Sequence, residues 1–240
     1  TIRFYTMSVA EYLEEYFEND VVKAALSGSG IIGTGLGPYS PGTAYVLLHH
    51  YMGEVDGSIG SWGFARGGMG SVSNALAGAF QEHDGEIMTN AEVKQILVKN
   101  GRSVGVVLEN GDELYAKNIV SNLDVKRTYL KLFEHGDLDE KIINQVENFK
   151  IRGSSGKLNI ALDGLPEFPA MGKNNPLMHA DMHFIDSLER IERAFDDWKN
   201  GRWSADPYCD TLIPTLTDPT MAPPGKHYMS VFVQYAPPKL

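Results

Sequence analysis

Three stretches of this chain carry residue types whose spacing could do chemistry. Gly28-Ser29-Gly30-Ile31-Ile32-Gly33 matches the pattern G-x-G-x-x-G, with acidic Glu54 and Asp56 roughly where a ribose-binding carboxylate is sought. That chemistry is pyrophosphate binding, and it requires a strand running into the glycines and a helix leaving at once, so that free amides meet the phosphates. The surroundings fail on both sides. Asp20 to Leu26 reads as a capped helix, and Gly35, Gly37 and Pro38 stop any helix from opening at Gly33. A glycine-rich loop from Gly28 to Pro38, near a ligand, is the expectation. In the second stretch, Arg66-Gly67-Gly68-Met69-Gly70, paired glycines before a helix can bring backbone close to a ligand and aim amide donors at it, or can simply turn the chain. Both readings stand on the residues alone. The third, His179-Ala180-Asp181-Met182-His183, would place three metal-capable side chains on one face of a strand. A metal site also needs a supporting ligand and a second shell, and nothing nearby in the sequence is a clear candidate, so no metal is assigned. Cys209 lacks a neighbouring Cys-His motif or a G-x-S-x-G elbow, which makes it a buried structural cysteine. The rings of His49 and His50 would point in different directions on a helix, one to the core and one to solvent.

The elements that must position these residues follow from periodicity and caps. Ser8 and Glu11 form a capping box opening a helix with the stripe Val9, Tyr12, Leu13, Tyr16 and Phe17. A short helix covers Val21 to Leu26, and another opens near Pro41 and runs to Met52. Gly67-Gly68 leads into a helix with Val72, Leu76, Ala79 and Phe80 on one face, ending at Gly85 in the left-handed C′ position. After a short strand at Glu86 to Met88, a β-meander spans Val93 to Lys99, Arg102 to Glu109 and Glu113 to Lys117, with type I′ Asn-Gly turns at Asn100-Gly101 and Asn110-Gly111. Helices at Val125 to Phe133 and Leu138 to Phe149 precede a strand at Lys157 to Leu162. A helix capped by Asp186 and Glu189 follows, with the stripe Leu188, Ile191, Phe195 and Trp198 and closure at Gly201, and then strands at Tyr208 to Ile213 and Tyr228 to Tyr235. The order is that of a mixed α/β (α+β) protein in which one compact part is inserted into another.

Composition limits the partners. The chain has 240 residues, 21 Lys and Arg against 31 Asp and Glu, and a formal net charge of −10. Nucleic-acid binding rests on clustered cations, so that partner class is excluded. A single cysteine precludes an intrachain disulfide framework and fits a reducing, cytoplasmic setting. Thr1 to Met7 has no basic stretch before an apolar core, so no secretory signal is expected. Ala24 to Gly53 contains no Asp, Glu, Lys or Arg, but its many Gly, Ser, Thr and Pro residues read as a buried or ligand-facing segment rather than a transmembrane one.

Taken together, Gly28 to Pro38, Pro41-Gly42-Thr43-Ala44-Tyr45, Arg66-Gly67-Gly68-Met69-Gly70, Val104-Gly105-Val106 and Ile119-Val120-Ser121-Asn122-Leu123-Asp124 resemble the phytoene dehydrogenase-like flavoproteins of the amine oxidase superfamily. Gly156 to Leu162, Asp218-Pro219 through His227, and Phe232 to Pro237 extend the resemblance over essentially the whole chain. It implies a two-domain fold, with FAD in one domain and an apolar substrate cavity in the other. Residues 1–65 would belong to the substrate domain, 66–124 to the FAD domain as helix and meander, and 125–240 to the substrate domain on its way back. The Val93 backbone would face the adenine, Ser121 and Asn122 would end a strand returning to the cofactor, and Gly67 and Gly68 would lie near the domain junction. These five are the candidate cofactor-binding residues, and no catalytic residue is named.

The resemblance implies an FAD-dependent dehydrogenase or desaturase that passes a hydride from a small apolar substrate to flavin, with peripheral membrane contact compatible with such a substrate. The family's N-terminal fingerprint and its C-terminal segment over the flavin are both missing. These residues are therefore expected to be the middle of a longer parent, inactive and unable to hold FAD alone, located in the cytoplasm or in the mitochondrial matrix of a eukaryote. One alternative is a non-catalytic regulatory protein that keeps the cavity for a hydrophobic ligand or partner. Another is a free-standing nucleotide-binding domain using Gly28 to Gly33.

Overall fold

The computed structural model describes residues 2–172 and 175–238. Two compact units divide the chain, one comprising Thr1–Ala75 with Arg152–Leu240 and the other Leu76–Ile151.

The first unit opens with α1 (Ile2–Thr6), α2 (Val9–Glu14), α3 (Asp20–Ile31) and α4 (Thr43–Tyr51). The expected capping box is present: Glu11 N donates to Ser8 Oγ at 3.1 Å, and Ser8 N donates to Glu11 Oε2 at 2.8 Å. Asn19 caps α3, which does not stop at Leu26 but runs through Gly28 and Gly30. The reason is close packing. A Cβ on Gly28 would lie 2.8 Å from Tyr208 Cζ and nearer still to Oη, and one on Gly30 would lie 2.9 Å from Val9 Cβ. The expected loop is thus confined to the residues after Ile31. Helix α4 begins at Thr43 rather than Pro41, behind Gly42 at φ +87°. Thr43 Oγ1 accepts Val9 N–H at 2.7 Å and donates to Ser40 O at 2.8 Å, docking α2 on α4. Glu54 and Asp56 belong to an exposed hairpin, β1 (Glu54–Val55) and β2 (Ser58–Ile59).

Helix α5 (Met69–Glu82) carries the chain across the boundary between units, with Val72, Leu76 and Phe80 exposed. Its left-handed terminal residue is Asp84, φ +59°, and not Gly85. Gly85 is needed for proximity instead, since a Cβ there would lie 2.6 Å from Phe80 Cγ. Residues 86–88 form no strand.

The second unit contains the expected antiparallel meander, β3 (Val93–Lys99), β4 (Arg102–Leu108) and β5 (Glu113–Tyr115), in that order. Asn100 (φ +53°) and Gly101 (φ +72°) both adopt positive φ, as a type I′ turn demands. The second Asn-Gly differs. Gly111 alone is left-handed, at φ +91°, Gly111 N donates to Leu108 O, and Asn110 Oδ1 accepts Asp112 N–H at 3.0 Å, which together make a three-residue loop. Helices α6 (Val125–Lys131) and α7 (Glu140–Asn148) pack on each other, and Ile96 N donates to Leu132 O at 2.7 Å, tying β3 to the end of α6. Residues 119–122 have no ladder partner among the described residues, so Ser121 and Asn122 end an extended segment and not a paired strand.

Back in the first unit, β6 (Ser155–Leu162), β7 (Met182–His183), β8 (Tyr208–Leu212) and β9 (His227–Gln234) form an antiparallel sheet in the order β6-β9-β8-β7. Between β7 and β8 lies α8 (Leu188–Lys199), whose apolar stripe Leu188, Ile191, Phe195 and Trp198 is buried as its spacing predicts. It meets Ala24 and Ile31 of α3 and Tyr208 and Tyr235 of the sheet region in one core cluster. Each such large side chain contributes about 1.5–3 kcal/mol on burial. Ser187, not Asp186, occupies the N-cap, because Asp186 is engaged by Arg190 at 3.1 Å. Gly201, at φ +72°, closes the helix through a 2.9 Å bond to Trp198 O. Gln234 Nε2 donates to Ile31 O at 2.9 Å and Tyr235 Oη to Leu36 O at 2.7 Å, so the segment after α3 is fixed by buried hydrogen bonds.

Candidate functional site

Three of the five candidate cofactor residues meet in one place. Val93, at the start of β3, lines a cavity of about 630 Å³ in the second unit together with Ser121 and Asn122. Ile96, Val106 and Ile119 supply apolar wall, and Arg127 and Lys131 of α6 bring positive charge to it, partly offset by Glu92. Asp124 organises that cationic side: its carboxylate caps α6 by accepting Arg127 N–H at 2.9 Å, and its other oxygen pairs with Arg127 Nε at 3.2 Å. Ser121 Oγ lies 2.8 Å from Thr128 Oγ1 and accepts Leu123 N–H at 3.3 Å, which holds the turn after residue 120. Motif reading passed over Arg127 and Lys131. The signal available was an arginine three residues after the helix cap Asp124, with a lysine one turn further on the same face.

Gly67 and Gly68 belong to the first unit's share of the chain. Both are left-handed at φ +81°, and Gly67 N donates to Asp218 Oδ2 at 2.6 Å. The other carboxylate oxygen of Asp218 accepts Thr220 N–H at 3.0 Å and the Thr220 hydroxyl at 2.6 Å. The Gly67 hydrogen bond, with that of Thr220, holds the Asp218 carboxyl below its ordinary pKa. The paired glycines thus form a turn pinned by a side chain 151 residues later.

A second cavity, of about 420 Å³, opens among α1 to α4. Its lining includes Phe4, Tyr12, Leu13, Leu26, Leu47 and Tyr51, and among the described residues none that lines it is charged. That is the size and chemistry of a site for an apolar small molecule. Burial pushes the Tyr12 phenol above its ordinary pKa.

Within the His179 to His183 stretch the strand expectation is corrected: His179 ends a 3₁₀ turn, and only Asp181 and His183 come together. They are joined by Asp210, which pairs with His183 across β7 and β8. Burial pushes the Asp210 carboxyl up to about 7, with the adjacent Asp181 adding to it. Burial opposes the charged imidazole of His183, yet its hydrogen bond to Asp181 and the two carboxylates hold it above its ordinary value. Cys209 is half-buried, and burial pushes its thiol up, away from nucleophilic use.

Residues 6–236 match the family model described as flavin containing amine oxidoreductase. The chain belongs to the flavin-containing amine oxidoreductase family. Among curated relatives, pyridine nucleotide-disulfide oxidoreductase domain-containing protein 2 of Rattus norvegicus is 34% identical over 97% of this chain and 41% of its own length. Prolycopene isomerase of Daucus carota is 34% identical over 78% of the chain and 28% of its own. Phytoene desaturase (lycopene-forming) of Pseudescherichia vulneris is 28% identical over 91% and 41%. The chain therefore spans less than half the length of the curated relatives it matches. In the solved structures, an oxidoreductase from Methanosarcina mazei superposes with a TM-score of 0.61 at 19% identity, over 97% of this chain and 48% of that one, which shows a common fold.

The family's cofactor is a flavin, and the cavity at Val93, Ser121 and Asn122 carries residue types that a nucleotide portion of FAD could use. Its apolar wall suits a ring, its hydroxyl and amide suit polar edges, and Arg127 and Lys131 suit phosphate charge. Gly28 to Gly33 does not provide a comparable cradle. Its helical glycines are filled by Tyr208 and Val9, which removes the nucleotide-loop alternative. No helix among the described residues is long and apolar enough to cross a membrane.

Proposed function

We propose that this chain forms part of an FAD-dependent oxidoreductase, a dehydrogenase or desaturase that passes a hydride from an apolar substrate to the flavin. The observation that carries the reading is the uncharged cavity among α1 to α4, in a chain whose second unit carries a separate cavity with polar and charged lining residues. FAD, when bound, supplies the hydride acceptor. The chain's own part is binding and positioning. Val93, Ser121 and Asn122 would hold the nucleotide end, Arg127 would meet its charge, and the walls made by Phe4, Leu13 and Leu47 would seat a hydrocarbon segment and exclude water. No side chain in either cavity is assigned as acid or base. The names of the matched relatives, which refer to phytoene, lycopene and prolycopene, support an extended apolar substrate.

The test is anaerobic reduction, by phytoene, of the flavin-loaded longer protein that contains this chain. Leu47→Asp should place a charge in the apolar cavity and raise KM for phytoene at least about tenfold, the effect of a lost 1.4 kcal/mol of binding, while leaving flavin content unchanged. Phytoene that binds without bleaching the flavin would instead favour a non-catalytic protein that keeps the cavity for a hydrophobic ligand. That second reading draws on the lack of Asp, Glu, His, Lys or Arg among the described residues that line this cavity.

A further inference from the structure

We infer that Asp181, His183 and Asp210 form a binding site for a divalent first-row transition-metal ion, separate from both cavities. The sequence supplies D-x-H, with Asp181 just before the edge strand β7 and His183 within it. What it conceals is the third ligand, because Asp210 is 27 positions beyond His183 and becomes its direct cross-strand neighbour only through the β7–β8 register. One ligand atom from each of the three residues lies within 4.8 Å of the others. His183 Nε2 is 3.1 Å from Asp181 Oδ2 and 3.9 Å from Asp210 Oδ2. Ligand atoms bonded at about 2.0–2.2 Å to one ion stand roughly 3.0–3.5 Å apart, so a cation fits between these atoms with small side-chain rotations.

One observation outside the cluster favours an ion there. On the same face of β8 as Asp210 stands Tyr208. It is fully buried, with its ring centroid 5.6 Å from that of His183, and its hydroxyl has no hydrogen-bond partner among the described residues. An unpaired buried hydroxyl, on a ring packed against that of His183, marks a region where the protein's own atoms do not complete the polar shell. One imidazole and two carboxylates suit Zn²⁺ or Mn²⁺, and three protein ligands leave coordination positions for water. The site would staple the two-residue edge strand β7 to β8. No covalent or redox step is involved.

The experiment needs no flavin, so it succeeds or fails independently of the oxidoreductase reading. The protein is stripped with a chelator and titrated with Co²⁺, whose visible absorption reports nitrogen and oxygen coordination, and then with Zn²⁺ in competition. One Co²⁺ per chain, displaced by Zn²⁺, is expected, and Tm should rise with added Zn²⁺. His183→Ala and Asp210→Asn should each weaken the metal at least about tenfold. Should either fail to fold, Asp181→Asn serves in their place, because its side chain is 44% exposed and its loss leaves the core intact. Absence of a cobalt spectrum, or equal affinity in wild type and Asp181→Asn, overturns the inference and leaves a cluster that only shares protons.

Discussion

Alanine at Gly28 separates two physical demands that act in opposite directions. Position 28 lies inside α3, where replacing glycine by alanine favours the helix by about 1 kcal/mol. The new Cβ, however, would sit 2.8 Å from Tyr208 Cζ and nearer still to Oη, on a ring with 0% exposure in the cluster shared by Ile31, Phe195 and Trp198. Such a ring has no solvent to retreat into, so α3 and β8 must separate. Overpacking of this kind costs about 1–3 kcal/mol, and the severity of the overlap places it at the upper end. Subtracting the helix gain leaves a net loss of about 2 kcal/mol. For a chain of this size that lowers Tm by about 4–8 °C, measurable by circular dichroism on Gly28→Ala against wild type. Tyr208→Phe removes the atom in closest conflict, so the double variant should recover part of the loss, giving a favourable coupling in a double-mutant cycle. A Tm equal to or above wild type for Gly28→Ala would refute the packing account. A nucleotide loop would predict lost ligand affinity at unchanged stability.

Ile191→Ala in the α8 stripe should cost about 2–5 kcal/mol in chemical denaturation with an unchanged m-value, whereas a loss below 1 kcal/mol would mean that the α3–α8 core does not hold as described. The Asp218 carboxyl should titrate below its ordinary 3.8, so the Gly67 clasp is present at neutral pH and is lost only as pH falls through that depressed value. A side-chain NMR titration checks the sign, and Asp218→Ala should speed exchange of the Gly67 amide. Burial raises the pKa of Glu192, which accepts Tyr39 N–H, and a carboxylate raised on folding opposes stability at pH above its unfolded value. Glu192→Gln, which keeps an acceptor oxygen, should therefore be slightly more stable than wild type at pH 8 and indistinguishable at pH 3; the reverse order would contradict that burial.

Local signals survived folding wherever one element satisfied its own requirements. Ser8 with Glu11, Asn100-Gly101 and the stripe of α8 each depend on atoms a few residues apart, and each appears as read. The misreadings fall where a side chain outside the local motif decides, whether a few residues away or far along the chain. Asp186 looks like a cap until Arg190 and Asp206 form their network around it, and Gly85 looks like a left-handed terminus until the Phe80 ring folds over it. The same division runs through the candidate sites. Val93, Ser121 and Asn122 were accessible through resemblance to a family. Asp210 and the Asp218 clasp depend on register and tertiary approach, which no local spacing encodes.

The glycines bring this to a point. A pyrophosphate loop and a tightly packed helix both require a backbone that something else can approach within van der Waals distance, so both select glycine at short, similar spacings. In Gly28-Ser29-Gly30 the approaching groups are Tyr208 and Val9, and the segment is the seam between α3, α2 and the sheet. At Gly67-Gly68 the positive φ angles and the carboxylate of Asp218 show a turn held open at its other face, with no large side chain filling it except the tip of Met221, 3.1 Å from a Cβ at Gly68. The letters are alike in the two places, and what decides between them is the identity of the neighbour. That difference also makes the two motifs experimentally separable: side chains added at Gly28 should act on folding, and side chains added at Gly67 should act on the local turn, with the α3–α8 core undisturbed.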